Sequence, residues 1–383
     1  MTPLVIDCEA TIFQKGNPFS RQNKLMCVGV YTPYQDFGYE YYPVEHDGLP
    51  YDAVLEVLKK TANSPYLIVG FNIKYDLHWL RRYIPGLQVT RVWDCQLAEF
   101  ILSDQTTPYP SLDECLAKYG LPPKDDRIKR DYWDKGIDTN EVPAELLQAY
   151  NRRDCEATYE LYLKQVPLLT GNKLRLFQLH CADLLVLQEM EFRGLLFNAK
   201  QSLIEGSKTD IDLQAAISKL NLLVGRNDIN WNSPQQLSSV LYGGDIAFKV
   251  RERTERLLKD GTTKVGERWG ISCVSFPRLV DPLDGTENDN GYSTDEPTLR
   301  SVQAKGQARQ IIELALEISK LDKLKGTYYN GLPELITKMD WELDTLHGQL
   351  NQCMARTGRL SSSQPNLQNM DPRLKPLIYS AFN

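Results

Sequence analysis

The first apolar run, PLVIDCEAT at residues 3–11, carries Asp7 and Glu9 two positions apart. Alternate residues of a strand project from the same face of a sheet, so both carboxylates share one side. Removing carboxylates from water is unfavourable unless cations or hydrogen-bond donors meet them. The fold must therefore leave this strand end in solvent or build an acid-tolerant site around it. Further acids favour the second outcome. GFNIKYDLHWLRR places Asp76 near a helix start, directly after the apolar YLIVG, where capping alone would explain it. AYNRRDCEATYELY places Tyr150 and Asp154 four apart on one helix face, where pairing with Arg152 or Arg153 alone would explain the acid. Taken together, acids gathered from separate elements are what hard divalent cations use.

Up to about residue 165 the periodicity alternates. PLVID and LMCVGVY read as strands, YDAVLEVLKKTA as a helix and YLIVGF as a buried strand. Helical spacing follows in LHWLRRYI, CQLAEFIL, SLDECLAKYG and AELLQAYNRRDCEATYELYLKQV. This is the pattern of an α/β domain. From about Phe177 long amphipathic helices take over, and Ile311, Ile312, Ala315, Leu316, Ile318 and Leu321 trace one apolar face. Residues 243–291, rich in charge, Gly and Asp, are expected to form an inserted lobe or long loop with a basic run at Lys249–Arg256. A chain of 383 residues calls for more than one domain, and the boundary is expected near 165–180.

A net charge of −6 argues against non-specific coating of nucleic acid, although a local basic groove is compatible with it. Eight cysteines without C-x-x-C, and four histidines without H-E-x-x-H, give no zinc site and suit a reducing cytosol. No apolar run has the length of a membrane span, and Leu4 already opens a strand, so no signal peptide is expected.

D-x-E on the first strand, N-x-K-Y-D in the middle and Y-x-x-x-D on a late helix resemble, in order, the three motifs of the DEDDy exonucleases. SLDECLAKYG also resembles a helix lying between the second and third motifs. The resemblance implies a ribonuclease H-like α/β domain, a mixed central sheet flanked by helices, at residues 1–167. It also implies a two-metal 3′-5′ exonuclease using Mg²⁺ or Mn²⁺, with Asp7, Glu9, Asp76 and Asp154 as ligands. Asp7 would bridge both ions, Glu9 and Asp154 would hold one, and Asp76 would hold the other mainly through water. Tyr150 would orient the attacking water, since a phenol is a poor base at neutral pH. Asn72 and Lys74 are expected at the DNA strand. Ala10 stands where many relatives carry Thr, and Thr11 is expected to replace it at the DNA terminus.

Later stretches resemble the family A DNA polymerases related to bacterial DNA polymerase I. LQEMEFRGLLFN looks like the segment opening the polymerase region, NWNSPQQLSSVLYGG like a thumb segment, and KLDKLKGTYYNGLPELI like the end of the long thumb helices. The strongest match is TGRLSSSQPNLQN, which in the family leads into the palm along the primer–template minor groove. The resemblance implies a mainly α thumb region at 168–345 containing the 243–291 insert, then an incomplete palm at 346–383. Lys323 and Lys325 would meet the DNA backbone; Arg356, Arg359, Asn366, Gln368 and Asn369 would meet the newest base pairs, whose minor-groove acceptors are common to all correct pairs. Met370-Asp371 and Tyr379 depart from the usual residues there. The family's D-Y-S-Q-x-E-like and H-D-E-like polymerase motifs do not occur in the sequence, so a C-terminal polymerase polypeptide is the expected partner. The expected setting is the cytoplasm of a bacterium or phage-infected host. Two other readings compete: a stand-alone exonuclease on DNA or RNA, and a non-catalytic DNA-holding subunit.

Overall fold

The computed structural model describes residues 2–33, 38–43, 66–84, 86–257, 263–289 and 291–379. The helix expected at 51–62 lies outside the described residues. The chain divides into two compact units, Met1–Ala199 with Leu332–Asn383, and Lys200–Gly331.

The first unit is built on β1 (Thr2–Ala10), β2 (Leu25–Thr32), β3 (Gly38–Pro43), β4 (Tyr66–Gly70) and β5 (Val92–Asp94), in sheet order β3-β2-β1-β4-β5. β1 is antiparallel to β2 and parallel to β4, β2 is antiparallel to β3, and β4 is parallel to β5, so the sheet is mixed. Leu4, Val5, Ile6 and Cys8 bury both faces of the central β1. That double burial explains its near-continuous apolar run and places Asp7 and Glu9 at the strand's carboxyl end.

The helices are α1 (Ile73–Tyr83), α2 (Cys95–Leu102), α3 (Leu112–Lys118), α4 (Arg127–Asp131), α5 (Ala144–Gln165) and α6 (Gly171–Arg193). Ser111 and Glu114 form a reciprocal capping box on α3. Asp94 serves two helices: Oδ1 accepts from Leu97 N–H and Oδ2 from Ile73 N–H, each at 2.9 Å. The start of α1, with Asp76 in its first turn, is thereby pinned to the end of β5.

The first unit runs past the boundary expected at 165–180. Phe177, Cys181 and Leu184 of α6 belong to the same apolar core as the sheet, so the chain cannot part from the unit before that helix ends. β6 (Leu195–Phe197) then pairs with Thr345–Leu346 on one side and Ile378–Tyr379 on the other.

The second unit contains α7 (Ala199–Val224), α8 (Pro234–Tyr242), β7 (Gly244–Leu257), β8 (Thr263–Phe276), α9 (Glu296–Ser301) and α10 (Gly306–Lys323). Ile311, Ile312, Ala315 and Ile318 form the expected buried stripe of α10, facing Leu213, Leu220, Trp231 and Leu241 in one core. Where a lobe or long loop was expected, β7 and β8 form an antiparallel ribbon with fourteen residues in each strand. Its alternation is hidden in the sequence because charged side chains occupy both faces, as in Lys249-Val250-Arg251-Glu252-Arg253.

Candidate metal centre

The end of β1 and the middle of α5 bring Asp7, Glu9 and Asp154 together, with one carboxylate oxygen from each lying within 4.8 Å of the others. Asp76 approaches from α1, buried at 4% exposure, and its Oδ1 accepts the Cys8 N–H at 2.8 Å. This bond fixes the fourth acid against the peptide between Asp7 and Glu9, just outside the cluster of three. Tyr150, one turn before Asp154, is buried and packs edge-to-face on Trp133 at 5.6 Å.

Burial, reinforced by the charge of Asp154, pushes the Asp7 carboxyl up to about 7. Burial and then the neighbouring Asp7 carry Glu9 and Asp76 well above the usual carboxylate range. Burial also raises Asp154, opposed by Lys124. The Tyr150 hydroxyl is driven far above its ordinary value by burial and then by Asp154 and Glu9, so it stays protonated at any physiological pH. Acids crowded to this degree resist ionising together, and a divalent cation relieves the repulsion. The donors fit one: all are carboxylate oxygens, as Mg²⁺ and Mn²⁺ prefer, and Asp154 Oδ1 is buried without a hydrogen-bond partner.

Two groups of the site escaped the sequence reading. Lys124, in the loop between α3 and α4, places Nζ 2.7 Å from Asp154 Oδ2 and 5.4 Å from the centre of the Tyr150 ring. Nothing in LPPKDDR distinguishes it from a solvated loop charge. Asn151 donates from Nδ2 to Asp7 Oδ2 at 2.8 Å and to the Asp7 carbonyl at 3.1 Å, while its Oδ1 accepts from Tyr39 at 2.9 Å. Its place three residues before Asp154, one helical turn away, was a usable signal.

Of the expected DNA contacts, two turn inward. The Thr11 hydroxyl donates to Asn23 Oδ1 and accepts from Lys24 N–H, both at 2.9 Å, so it braces a loop. Lys74 pairs with Glu191 of α6 at 2.7 Å and donates to the Leu350 carbonyl at 2.6 Å. Glu191 also receives His78 Nε2 at 2.8 Å and Leu350 N–H at 2.5 Å, joining α1, α6 and the strand Gln349–Asn351 within the first unit. A cavity of about 330 Å³ beside this junction is lined by Lys74, His78, Glu191, Asn351 and Gln352, and none of the four acids borders it. Asn72, in left-handed conformation at the head of α1, is exposed. Arg356, Arg359, Asn366, Gln368 and Asn369 are all exposed, with the Asn366 side chain capping the turn Leu367–Asn369. In the second unit Lys323 is exposed and Lys325 pairs with Asp210 at 2.6 Å.

Residues 2–169 match the 3′-5′ exonuclease family and residues 273–378 match DNA polymerase family A. DNA polymerase I of Synechocystis sp. is 28% identical over 354 residues, covering 87% of this chain and 30% of the relative. DNA polymerase DpoZ of Acinetobacter phage SH-Ab 15497 is 25% identical over 395 residues, covering 97% of this chain and 56% of the relative. The chain thus spans between about a third and somewhat over half the length of these proteins. Among solved structures, the POL domain of Pol1 from M. smegmatis, in complex with DNA primer-template and dNTP, shares the fold at a TM-score of 0.62 and 18% identity, over 97% of this chain and 52% of that one. A sheet ending in clustered acids, followed by polymerase-like segments, gives this chain a match to a 3′-5′ exonuclease domain preceding a match to part of the DNA polymerase family A region, the arrangement of the family A polymerases it resembles.

Proposed function

We propose that the chain is a metal-dependent 3′-5′ exodeoxyribonuclease that proofreads for a family A DNA polymerase. The observation that carries this reading is the meeting of Asp7, Glu9 and Asp154 beside Asp76 and Tyr150. Two Mg²⁺ or Mn²⁺ ions held by these carboxylates would activate the attacking water and neutralise charge on the leaving 3′ oxygen. The protein's part is orientation. Asn151 holds Asp7, the Cys8 N–H holds Asp76, and Lys124 holds one oxygen of Asp154 while its other oxygen stays unengaged. Tyr150, kept protonated, positions the water by hydrogen bonding and takes no proton from it.

Arg356, Arg359, Gln368 and Asn369 offer exposed donors suited to a primer–template minor groove, and Lys323 offers a charge suited to its backbone. Among the described residues the only cluster with metal-ligand spacing is the one at Asp7. The sequence holds neither a D-Y-S-Q-x-E-like nor an H-D-E-like motif, and DNA synthesis is assigned to a polymerase centre on another polypeptide segment. No helix of the described residues is long and apolar enough to cross a membrane; the setting proposed for this action on DNA is a bacterial or phage-infected cytosol.

The test is incubation with 5′-labelled single-stranded DNA or RNA in Mg²⁺ or EDTA, using wild type and Asp7→Ala. Stepwise loss of 3′ nucleotides from DNA, absent in EDTA and in the variant, is expected. Intact DNA, or faster trimming of RNA, would overturn the reading.

A further inference from the structure

One buried amide links the acidic cluster to the edge strand of its sheet. Asn151 of α5 is fully buried, so each polar atom of its side chain needs a partner within the protein. The amino end meets Asp7 twice, donating to Oδ2 at 2.8 Å and to the main-chain carbonyl at 3.1 Å. The carbonyl end accepts from the Tyr39 hydroxyl of β3 at 2.9 Å. The same hydroxyl lies 3.2 Å from the Gln148 carbonyl, one turn earlier on α5. Register explains the span. Asp7 pairs with Gly29, Gly29 pairs with Tyr41, and Tyr39 stands two residues from Tyr41, so Asp7, Gly29 and Tyr39 share one side of the sheet. The strand between them offers glycine where the amide crosses it: a Cβ at Gly29 would come within 1.8 Å of Asn151 Oδ1.

We infer that Tyr39 is a positioning residue of the metal centre, setting its affinity for Mg²⁺ or Mn²⁺ through Asn151; this rests on the reading of the acids as a metal-dependent nuclease site. Only the amino end of an amide can donate to a carboxylate. A turned amide would set Oδ1 against the Asp7 carboxylate and carbonyl, acceptor facing acceptors. With the Tyr39 hydroxyl removed, Oδ1 becomes a buried acceptor without a donor, and the amide gains by turning or withdrawing from Asp7 to find one. Asp7 then keeps its place on β1 but loses the donor that fixes the rotation of its carboxyl group. A carboxylate oxygen has lone pairs for a donor and a cation together, so the contact orients Oδ2 without blocking it. The Tyr39 ring has a separate neighbour, the Arg152 guanidinium at 5.8 Å, so hydroxyl and ring can be tested apart.

The test is Mn²⁺ titration calorimetry on wild type, Tyr39→Phe, Asn151→Ala and the double variant, with circular dichroism as a check of the fold. Tyr39→Phe keeps the ring and should weaken Mn²⁺ binding roughly tenfold. Asn151→Ala should weaken it at least as much, and the double variant no further, because the hydroxyl acts through the amide. Trimming of labelled single-stranded DNA by Tyr39→Phe should be slow at limiting Mn²⁺ and return to the wild-type rate at saturating Mn²⁺, with KM for DNA unchanged. Wild-type Mn²⁺ affinity in Tyr39→Phe overturns the proposal. A double variant whose loss is the product of the two single losses overturns it too, as does a trimming defect that saturating Mn²⁺ leaves in place. Failure of wild type to bind Mn²⁺ overturns both this proposal and the metal-dependent reading.

Discussion

Lys124 and Asp154 divide a carboxylate between them: Nζ lies 2.7 Å from Oδ2, while Oδ1 of the same group is buried with no hydrogen-bond partner. An ammonium so placed fixes the plane of the carboxylate beside Asp7 and Glu9. Partners that orient a metal ligand in this way typically contribute about 10- to 100-fold to affinity. Lys124→Met should weaken Mn²⁺ binding by an amount in that range in titration calorimetry, and Lys124→Arg should restore part of it. Affinity at or above wild type would make the lysine a competitor for the site instead.

Asp7 gives a pH signature in the metal-free protein. Its carboxyl titrates near 7 in the folded chain, against 3.8 for the ordinary side chain. The folded state therefore holds this proton more tightly than the unfolded state. The stabilisation is complete below about pH 4 and is lost as pH rises through about 7. In EDTA, Asp7→Asn should melt at a higher temperature than wild type at pH 8, with the gap closing towards pH 4.5. Parallel melting curves across that range would contradict the assignment.

Gly29 of β2 lies opposite Asp7, and a Cβ there would come within 1.8 Å of Asn151 Oδ1. Gly29→Ala should push Asn151 off Asp7, destabilise the protein by about 1–3 kcal/mol, and slow trimming. Chemical denaturation and a trimming assay on the same preparation would test both halves.

Glu191→Ala removes the carboxylate shared by Lys74, His78 and the Leu350 N–H. Lys74 and His78 have side chains 16% and 5% exposed, so little water can replace the lost partner. Leaving buried charge unpaired costs about 3–5 kcal/mol. A comparable loss should appear in denaturant melts, and a loss under about 1 kcal/mol would mean that water fills the gap.

The acidic cluster was legible because its members are acids in places where acids are unfavourable: at the end of a doubly buried strand, after a second apolar strand, and on one helix face. Period two and period 3.6 set which neighbours share a face, and the resemblance to the three exonuclease motifs gathered the acids of separate elements. Lys124 and Thr11 were not legible for the complementary reason. A loop lysine and a strand-end threonine carry no periodic constraint, so only tertiary packing turns one into the site and the other onto Asn23 and Lys24. The β7–β8 ribbon was missed because strand prediction relies on one face being apolar, and here charge sits on both. That the core of the first unit continues through α6 was not legible because α6 looks like any amphipathic helix, and the sequence does not say whose core its Phe177 enters.

That last feature bears on heredity as much as on folding. A gene rearrangement cutting between α5 and α6 would strip Phe177, Cys181 and Leu184 from the sheet's core and Glu191 from Lys74 and His78. The shortest segment that keeps the acidic cluster on an intact core is thus longer than the stretch bearing the acids, because it has to include α6.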